Sequence, residues 1–449
     1  MMHPEKPMET KDMTQSSEML ARNEKVIPGG VVSTNRRVEP VISFVRAQGG
    51  RMWDADGKEY LDYHGAFAPM ILGHNDPDVN AAVIASIDRG ESLIGSGPTR
   101  WEGELAELIV EAVPGVEMVQ ITNTGSEATA HAIRLSRAAT GRDGVVLMEG
   151  GYNGWHNDVA FNLMTPADAL GDYRPGMIEP LRPLSAGIPA SVGDHIRVIN
   201  FNDLPAAEAV LRGGDVACVL TEPILQNIGI VKPENGYLAG LRKLCDDTGT
   251  VLVFDEIKTG FRHALGGYQS VCGVLPDLCT FGKAVANGYP LGVIGGKRAL
   301  MEQFAASEAN RRVMIAGTYN AHPLTCAAAI ATIRKLADPE ENVYGHIRRL
   351  GKRMQKGLAE IFAKKGMAAT IAREGSAWCV YFMASEPKNW HDIAKRHDFD
   401  LDRRYRAGLI ERRIYPFPLP VKQSSICYAH TTADIDETLE KTREVVKGL

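Results

Sequence analysis

The run TVLVFDEI (250–257) constrains this chain more than any other segment. Val251 to Phe254 are apolar without a break, and two carboxylates follow at once. A strand with one wet face alternates polar and apolar residues. One without alternation is buried on both faces, as in a parallel sheet covered by helices on either side. VVLME (145–149) and VACVLTEP (216–223) have the same texture. MVQITN (118–123) reads as a strand that passes through a turn into the helical pattern SEATAHAIRLSRAAT. In that helix Ala128, Ala132 and Leu135 recur at helical spacing, and Arg134 and Arg137 can face outward. Short apolar runs alternate with longer amphipathic ones from about Val79 to Lys335, which predicts an α/β layer fold around a mostly parallel sheet.

The flanks differ. In GGRMWDADGKEYLDY (49–63) a D-x-D-G turn lies between alternating residues, which predicts an antiparallel hairpin. Beyond Pro339 the texture changes to charged helices and short strands. The expected organisation is an N-terminal segment (1–75: tail, helix, hairpin), a large domain (76–335) and a smaller α+β C-terminal domain (336–449). At 449 residues a single simple core is not expected. The first dozen residues are expected to be flexible.

Composition narrows the function. Fifty basic residues against 55 acidic ones give a formal charge of −5, with no basic run, which argues against a nucleic-acid or anionic-membrane surface. The opening MMHPEKPMETKDMTQSSEML lacks the apolar core of a signal peptide, and no later segment is apolar enough to span a bilayer. Seven cysteines without C-x-x-C spacing suit neither a disulfide framework nor a zinc site. No histidine spacing suggests a metal. A reduced cytoplasmic protein is the expectation.

Three strand ends carry the chemistry. Asp255 and Glu256 close the VLVF run, at the sheet edge where open α/β folds bind ligands. An Asp there could also cap the next turn or pair with Arg262. Lys283 lies between Gly282 and Gly288 in TFGKAVANGYPLG, where backbone and a bulky ligand can approach closely. A desolvated lysine loses its proton readily enough to attack an aldehyde. Thr124, Gly125 and Ser126 offer backbone N–H groups at a helix N-terminus, a phosphate cradle, although Thr and Ser are also ordinary N-caps. Pyridoxal 5′-phosphate needs all three: a lysine for its aldehyde, a carboxylate for its pyridine nitrogen and a seat for its phosphate.

Eight motifs then occur in order: PGGVVSTNR (28–36), DGKEYLDYHGAFAPMILGH (56–74), TNTGSEATAHAIRLSR (122–137), GGYNGWH (150–156), EPILQNIG (222–229), FDEIKTGFR (254–262), FGKAVANGYPLGVIGG (281–296) and AGTYNAHPL (316–324). With them the chain resembles the class III aminotransferases, fold-type I pyridoxal-phosphate enzymes. Within that family it is similar to the glutamate-1-semialdehyde aminomutases and their aminotransferase relatives. The resemblance implies that Lys283 holds the cofactor as a Schiff base, and that Asp255 pairs with the ring nitrogen. Gly125 and Ser126 match the phosphate-binding turn. Tyr152 matches the stacking aromatic and Ile257 the apolar residue on the other ring face. Glu222 and Asn227 match residues lining the site, though Glu222 could equally be a structural acid. Thr318 matches a threonine reaching the phosphate from a partner subunit, which implies a homodimer with shared sites.

For the substrate the resemblance points to Arg36, Phe67 and Lys422. Arg36 matches a carboxylate-binding arginine, with Arg37 beside it leaving the register open and a surface arginine as the alternative. Phe67 stands where the aminomutases have Trp, and Lys422 where they have Glu. Their gating loop is replaced by PLSAGIPASVGDH (183–195), and their G-G-G-x-P hinge by Ala286-Asn287-Gly288-Tyr289-Pro290. These departures favour a two-substrate aminotransferase, running from an amine or amino acid donor to a keto acid or aldehyde acceptor. An aminomutase and a racemase or epimerase are the alternatives.

Overall fold

The computed structural model describes residues 14–449, so the expectation for the first dozen residues lies outside the described part. The N-terminal segment supplies β1 (Phe44–Gln48), β2 (Arg51–Asp54) and β3 (Glu59–Asp62). The expected hairpin is β2 against β3, antiparallel with Arg51 opposite Leu61. Asp54 Oδ1 closes its turn by accepting from the Asp56 and Lys58 amides. Gly57 takes φ +80° there.

The middle of the chain contributes β4 (Met118–Thr122), β5 (Gly144–Met148), β6 (Ile178–Glu179), β7 (Ile196–Ile199) and β8 (Val216–Thr221). It continues with β9 (Val251–Asp255), β10 (Leu278–Gly282) and β11 (Gly292–Gly296). These eight form one sheet in the order β4-β11-β10-β9-β8-β5-β7-β6. The pairs from β10 through β9, β8 and β5 to β7 are parallel. Only β11 and β6 run against the rest. Every residue of β5, β8, β9 and β10 is buried, as unalternated apolar runs demand. The helix Gly125–Thr140 covers one face, with Ala128, Ala132 and Leu135 buried and Arg134 exposed.

Beyond this sheet come β12 (Thr370–Glu374), β13 (Ala377–Tyr381), β14 (Ile414–Tyr415) and β15 (Ser424–Ser425). Strands β12, β13 and β15 form a small sheet, while β14 joins β3 in parallel and completes the sheet begun by the hairpin. None of the helices described is long and apolar enough to cross a membrane. All seven cysteines are unpaired, and six are buried.

The topology sets the site. Strands β4, β5, β8, β9 and β10 point the same way, so the residues after their carboxyl ends converge on one edge. Those residues include Thr124–Ser126, Tyr152, Glu222, Asp255–Lys258 and Lys283.

Candidate active site

A cavity of about 340 Å³ opens at that edge. Its wall includes Thr124, Gly125, Ser126, Tyr152, Glu222, Asn227, Asp255, Ile257 and Lys283, nine of the ten cofactor residues expected from sequence. Thr318 is the exception: it is exposed and does not line this cavity.

Asp255 is 2 % exposed. Its Oδ2 accepts from Asn153 Nδ2 at 2.7 Å, and its Oδ1 from the Ile257 amide at 3.0 Å and Thr280 Oγ1 at 3.2 Å. Burial pushes its carboxyl above the ordinary value, and these donors with Lys283 pull the other way. Arg262 does not pair with it. That guanidinium is buried and donates instead to the Ala68 carbonyl oxygen and to Ser376 Oγ.

Lys283 follows β10 directly, in a short 3-10 turn, with a left-handed φ of +47° that a side chain seldom adopts. Among the described residues nothing accepts a hydrogen bond from its Nζ. Burial depresses its amine, opposed by the charges of Asp255 and Glu222. The result is an ammonium group that gives up its proton more easily than a surface lysine.

The turn before the helix Gly125–Thr140 is built by a reciprocal cap. Thr124 Oγ1 accepts from the Glu127 amide, while Glu127 Oε2 accepts from the amides of Asn123 and Thr124. Thr124 is therefore committed to the helix. The Gly125 and Ser126 amides have no acceptor among the described residues, which leaves two N–H groups at a helix N-terminus for an anion. A Cβ on Gly125 would come within 2.7 Å of Ile257 Cδ1, so glycine lets the ring-facing isoleucine and the turn lie together.

Glu222 accepts from the Tyr152 amide at 3.2 Å and the Gln226 amide at 3.0 Å. Burial and then Asp255 push its carboxyl up, opposed by Lys258. Lys422 lies behind Asn227, its Nζ donating to Asn227 O at 2.9 Å and Oδ1 at 3.2 Å. Burial lowers its ammonium to about 8, against the pull of Glu222.

The other substrate residues sit elsewhere. Arg36 and Phe67 line a second cavity of about 340 Å³ with His64 and Phe417. The His64 ring stacks on Phe417 and meets Phe67 edge-on, both at 4.4 Å. Arg37 is tied to Glu24 and the Gly29 carbonyl oxygen, each at 2.7 Å. Arg36 has no ionic partner among the described residues and is the arginine left available. Pro69, two residues beyond Phe67, lines the Lys283 cavity, so one turn borders both spaces.

Two site residues escaped the sequence reading. Asn153, which holds Asp255, was signalled only by its place beside Tyr152 in GGYNGWH. Lys258, also in the wall, follows Ile257 in the strand-end motif, where a lysine reads as a solvated residue.

A family model described as aminotransferase class-III matches residues 32–405. A glutamate-1-semialdehyde 2,1-aminomutase from Desulfatibacillum aliphaticivorans is 38% identical over 443 residues, spanning 97% of this chain and 100% of the relative. Among solved structures, an omega-transaminase from Sphaerobacter thermophilus has a TM-score of 0.89 at 28% identity, covering 97% of this chain and 98% of that one. A variant glutamate-1-semialdehyde aminomutase from Pseudomonas aeruginosa PAO1, in complex with PMP, has a TM-score of 0.85 at 25% identity, covering 97% and 94%.

Proposed function

The chain belongs to the class III aminotransferases, and on that premise we propose that it transfers an amino group between two separate substrates. The donor is an amine or amino acid, the acceptor a keto acid or aldehyde, and the kinetics are ping-pong. The fold is fold-type I and the cofactor is pyridoxal 5′-phosphate. The residues suit that group. Two unused amides at a helix N-terminus match its phosphate, a buried carboxylate matches a protonated ring nitrogen, and an unpartnered lysine matches its aldehyde. When bound, the cofactor supplies an electron sink for the pair released as the Cα proton leaves.

The protein's part is to hold and move protons around that sink. Asp255, kept in place by Asn153 and Thr280, holds the ring nitrogen protonated. The Gly125 and Ser126 amides bind the phosphate. Tyr152 and Ile257 cover the two ring faces. Lys283 Nζ, which nothing among the described residues accepts from, would take the Cα proton of the bound amine and return a proton on the cofactor's side of the nitrogen. Thr318 completes the phosphate seat of a partner subunit in a cytoplasmic homodimer; that Thr318 is exposed and does not line its own chain's cavity supports the shared seat.

The position of Lys422 carries the choice of two substrates. An aminomutase must keep a diamine in its site until one of its two amines has been handed back to the cofactor's aldehyde. Here Lys258 and Lys283 line the cavity and Lys422 lies behind Asn227 in its wall; burial lowers Lys258 to about 7 and Lys422 to about 8, and in its charged form each disfavours a diamine and favours a keto acid. The names of the curated relatives favour the second reading, the glutamate-1-semialdehyde 2,1-aminomutase reaction. The two separate in one assay. A panel of amine donors is tested with pyruvate or 2-oxoglutarate, and glutamate-1-semialdehyde is supplied alone. Amino transfer to the keto acid is expected. Conversion of glutamate-1-semialdehyde without any acceptor, and no transfer from any donor, would overturn the proposal.

A further inference from the structure

Arg262 ends the FDEIKTGFR motif in which Asp255 stands second, and it lines neither cavity. It is 1 % exposed. Burial lowers its guanidinium to about 10, which leaves it charged at neutral pH, and no carboxylate is among the groups that act on it. A buried charge met only by neutral oxygens is expensive, so the bonds it makes need a reason. Two of its three bonds go to one atom: Nε and Nη2 donate to the Ala68 carbonyl oxygen at 3.2 and 2.5 Å. The third, from Nη1 to Ser376 Oγ at 3.3 Å, ties it to the turn between β12 and β13.

Ala68 closes a turn of left-handed backbone. Gly65, Ala66, Phe67 and Ala68 have φ of +51°, +52°, +70° and +75°, and the Ala68 amide donates to the His64 carbonyl oxygen at 3.0 Å. Residues with side chains avoid this conformation, and it persists only where neighbours over-determine it. Charges do so at both ends. Asp62 Oδ1 accepts from the His64 and Gly65 amides at the start, and Arg262 holds the carbonyl at the finish. The turn borders both cavities. Ala66 and Phe67 line the second one and Pro69 lines the Lys283 cavity. Met70 fits against Gly288 in that same wall, where a Cβ would come within 2.5 Å of Met70 Cε. Phe67 also packs on His64 at 4.4 Å and on Phe417 at 5.0 Å. We infer that Arg262 is a positioning residue for substrate choice: through the Ala68 carbonyl it pins the turn, and with it Phe67, against which the far end of a long donor packs. The inference rests on the aminotransferase reading and names a residue that sets which donors that site takes.

Fluorine NMR of the cofactor-loaded protein with 4-fluorophenylalanine at position 67 tests the pin apart from turnover. Wild-type protein should give one narrow signal, and Arg262→Met should broaden or split it. Arg262→Lys, which returns a charged donor, should restore a narrow one. In turnover with pyruvate, KM for 3-phenylpropylamine should rise about 10-fold or more in Arg262→Met, the order that a small misfit in an apolar pocket is worth, while KM and kcat for propylamine stay constant. Arg262→Lys should recover most of that loss. In a Phe67→Ala background Arg262→Met should add little, because residues acting through one contact are not additive. If Arg262→Met does not fold, Arg262→Gln, with one amide donor left for Ala68, carries the same comparisons. An unmoved fluorine signal overturns the pin, as does an equal rise in KM for both amines or the full loss surviving in Phe67→Ala. A wild type that uses propylamine alone overturns the role in donor choice. A broadened signal in a protein that takes an amine from no donor leaves the pin and sinks the aminotransferase reading instead.

Discussion

Asp255 holds a charge where water cannot reach it, and the structure spends three donors on keeping that oxygen pair in place. Asp255→Asn keeps the shape and removes the charge, so the ring nitrogen loses the partner that keeps it protonated. Cofactor binding should survive, while removal of the Cα proton slows by about 10²–10³-fold, as when a preorganised electrostatic partner is lost. Stopped-flow absorbance of the donor half-reaction measures this, and an unchanged rate would remove Asp255 from the chemistry. Lys422 gives a pH prediction. Its ammonium, lowered to about 8 by burial, is charged below that pH and neutral above it. KM for a keto acid should therefore rise as pH passes about 8, whereas KM for butanal should not. Its effect on stability has the opposite sign. Between about 8 and its ordinary value of 10.5 the unfolded chain binds the proton that the folded chain has lost, so this group's contribution to stability rises with pH there. Asp255 and Lys283 were legible because strand ends announce themselves in apolar runs. Lys258 was not, since only the tertiary approach of the Gln226 carbonyl brings a strand-end lysine into the cavity.

The helix Phe399–Glu411 positions Lys422 without touching the cavity. Arg406 donates to the Phe417 carbonyl oxygen at 2.9 Å and to that of Lys422 at 3.0 Å, while Asp402 Oδ2 accepts from the Val421 amide at 2.7 Å. Asp402 also meets Arg406 at 2.7 Å and His397 at 3.1 Å, all three buried. Burial opposes its charge, but Arg406 and His397 prevail and hold the carboxyl below its ordinary 3.8. The sign follows: its contribution is complete above that value and is lost as pH falls through the lower, folded one. Asp402→Asn leaves Arg406 buried with one charge partner fewer, so a loss of about 3–5 kcal/mol is expected. Urea melts at neutral pH check the size, and the acid limb of the wild type should flatten in the variant. A wild-type stability in the variant would show that the trio does not anchor the loop. The turn beside Phe67 shows what sequence withholds at this scale. Gly65, Ala66, Phe67 and Ala68 all have positive φ, from +51° to +75°. One glycine in HGAFA does not signal four left-handed residues, three of which cost about 1–2 kcal/mol each. The conformation persists because Asp62 accepts from the His64 and Gly65 amides and Arg262 binds the Ala68 carbonyl oxygen.

For the whole chain, the central sheet could be read in advance because each buried strand is a continuous apolar word. The pairing of β14 with β3 could not: two residues, Ile414 and Tyr415, have no periodicity to set a register with a strand some 350 positions earlier. The same limit applies to anything a second copy supplies, and Thr318 is the case that matters. It is exposed, as are Met314 and Tyr319 around it, while Asn320 Oδ1 accepts from Asn123 beside the phosphate turn. The loop is thus tied close to its own phosphate turn, yet Thr318 is left free for another. If the site is shared, complementation between two crippled variants should reveal it. Thr318→Ala should weaken cofactor binding by about 10–100-fold, as for a hydrogen bond to a charged phosphate, and Lys283→Ala should abolish turnover. Unfolding the two together and refolding them mixed gives heterodimers. In these, one site takes Lys283 from the Thr318→Ala chain and Thr318 from the Lys283→Ala chain, and both are wild type. About a quarter of all sites should then regain wild-type cofactor affinity and rate at limiting cofactor. A site built within one chain predicts no intact site in any mixture, so activity no higher than the Thr318→Ala share would confine Thr318 to its own subunit.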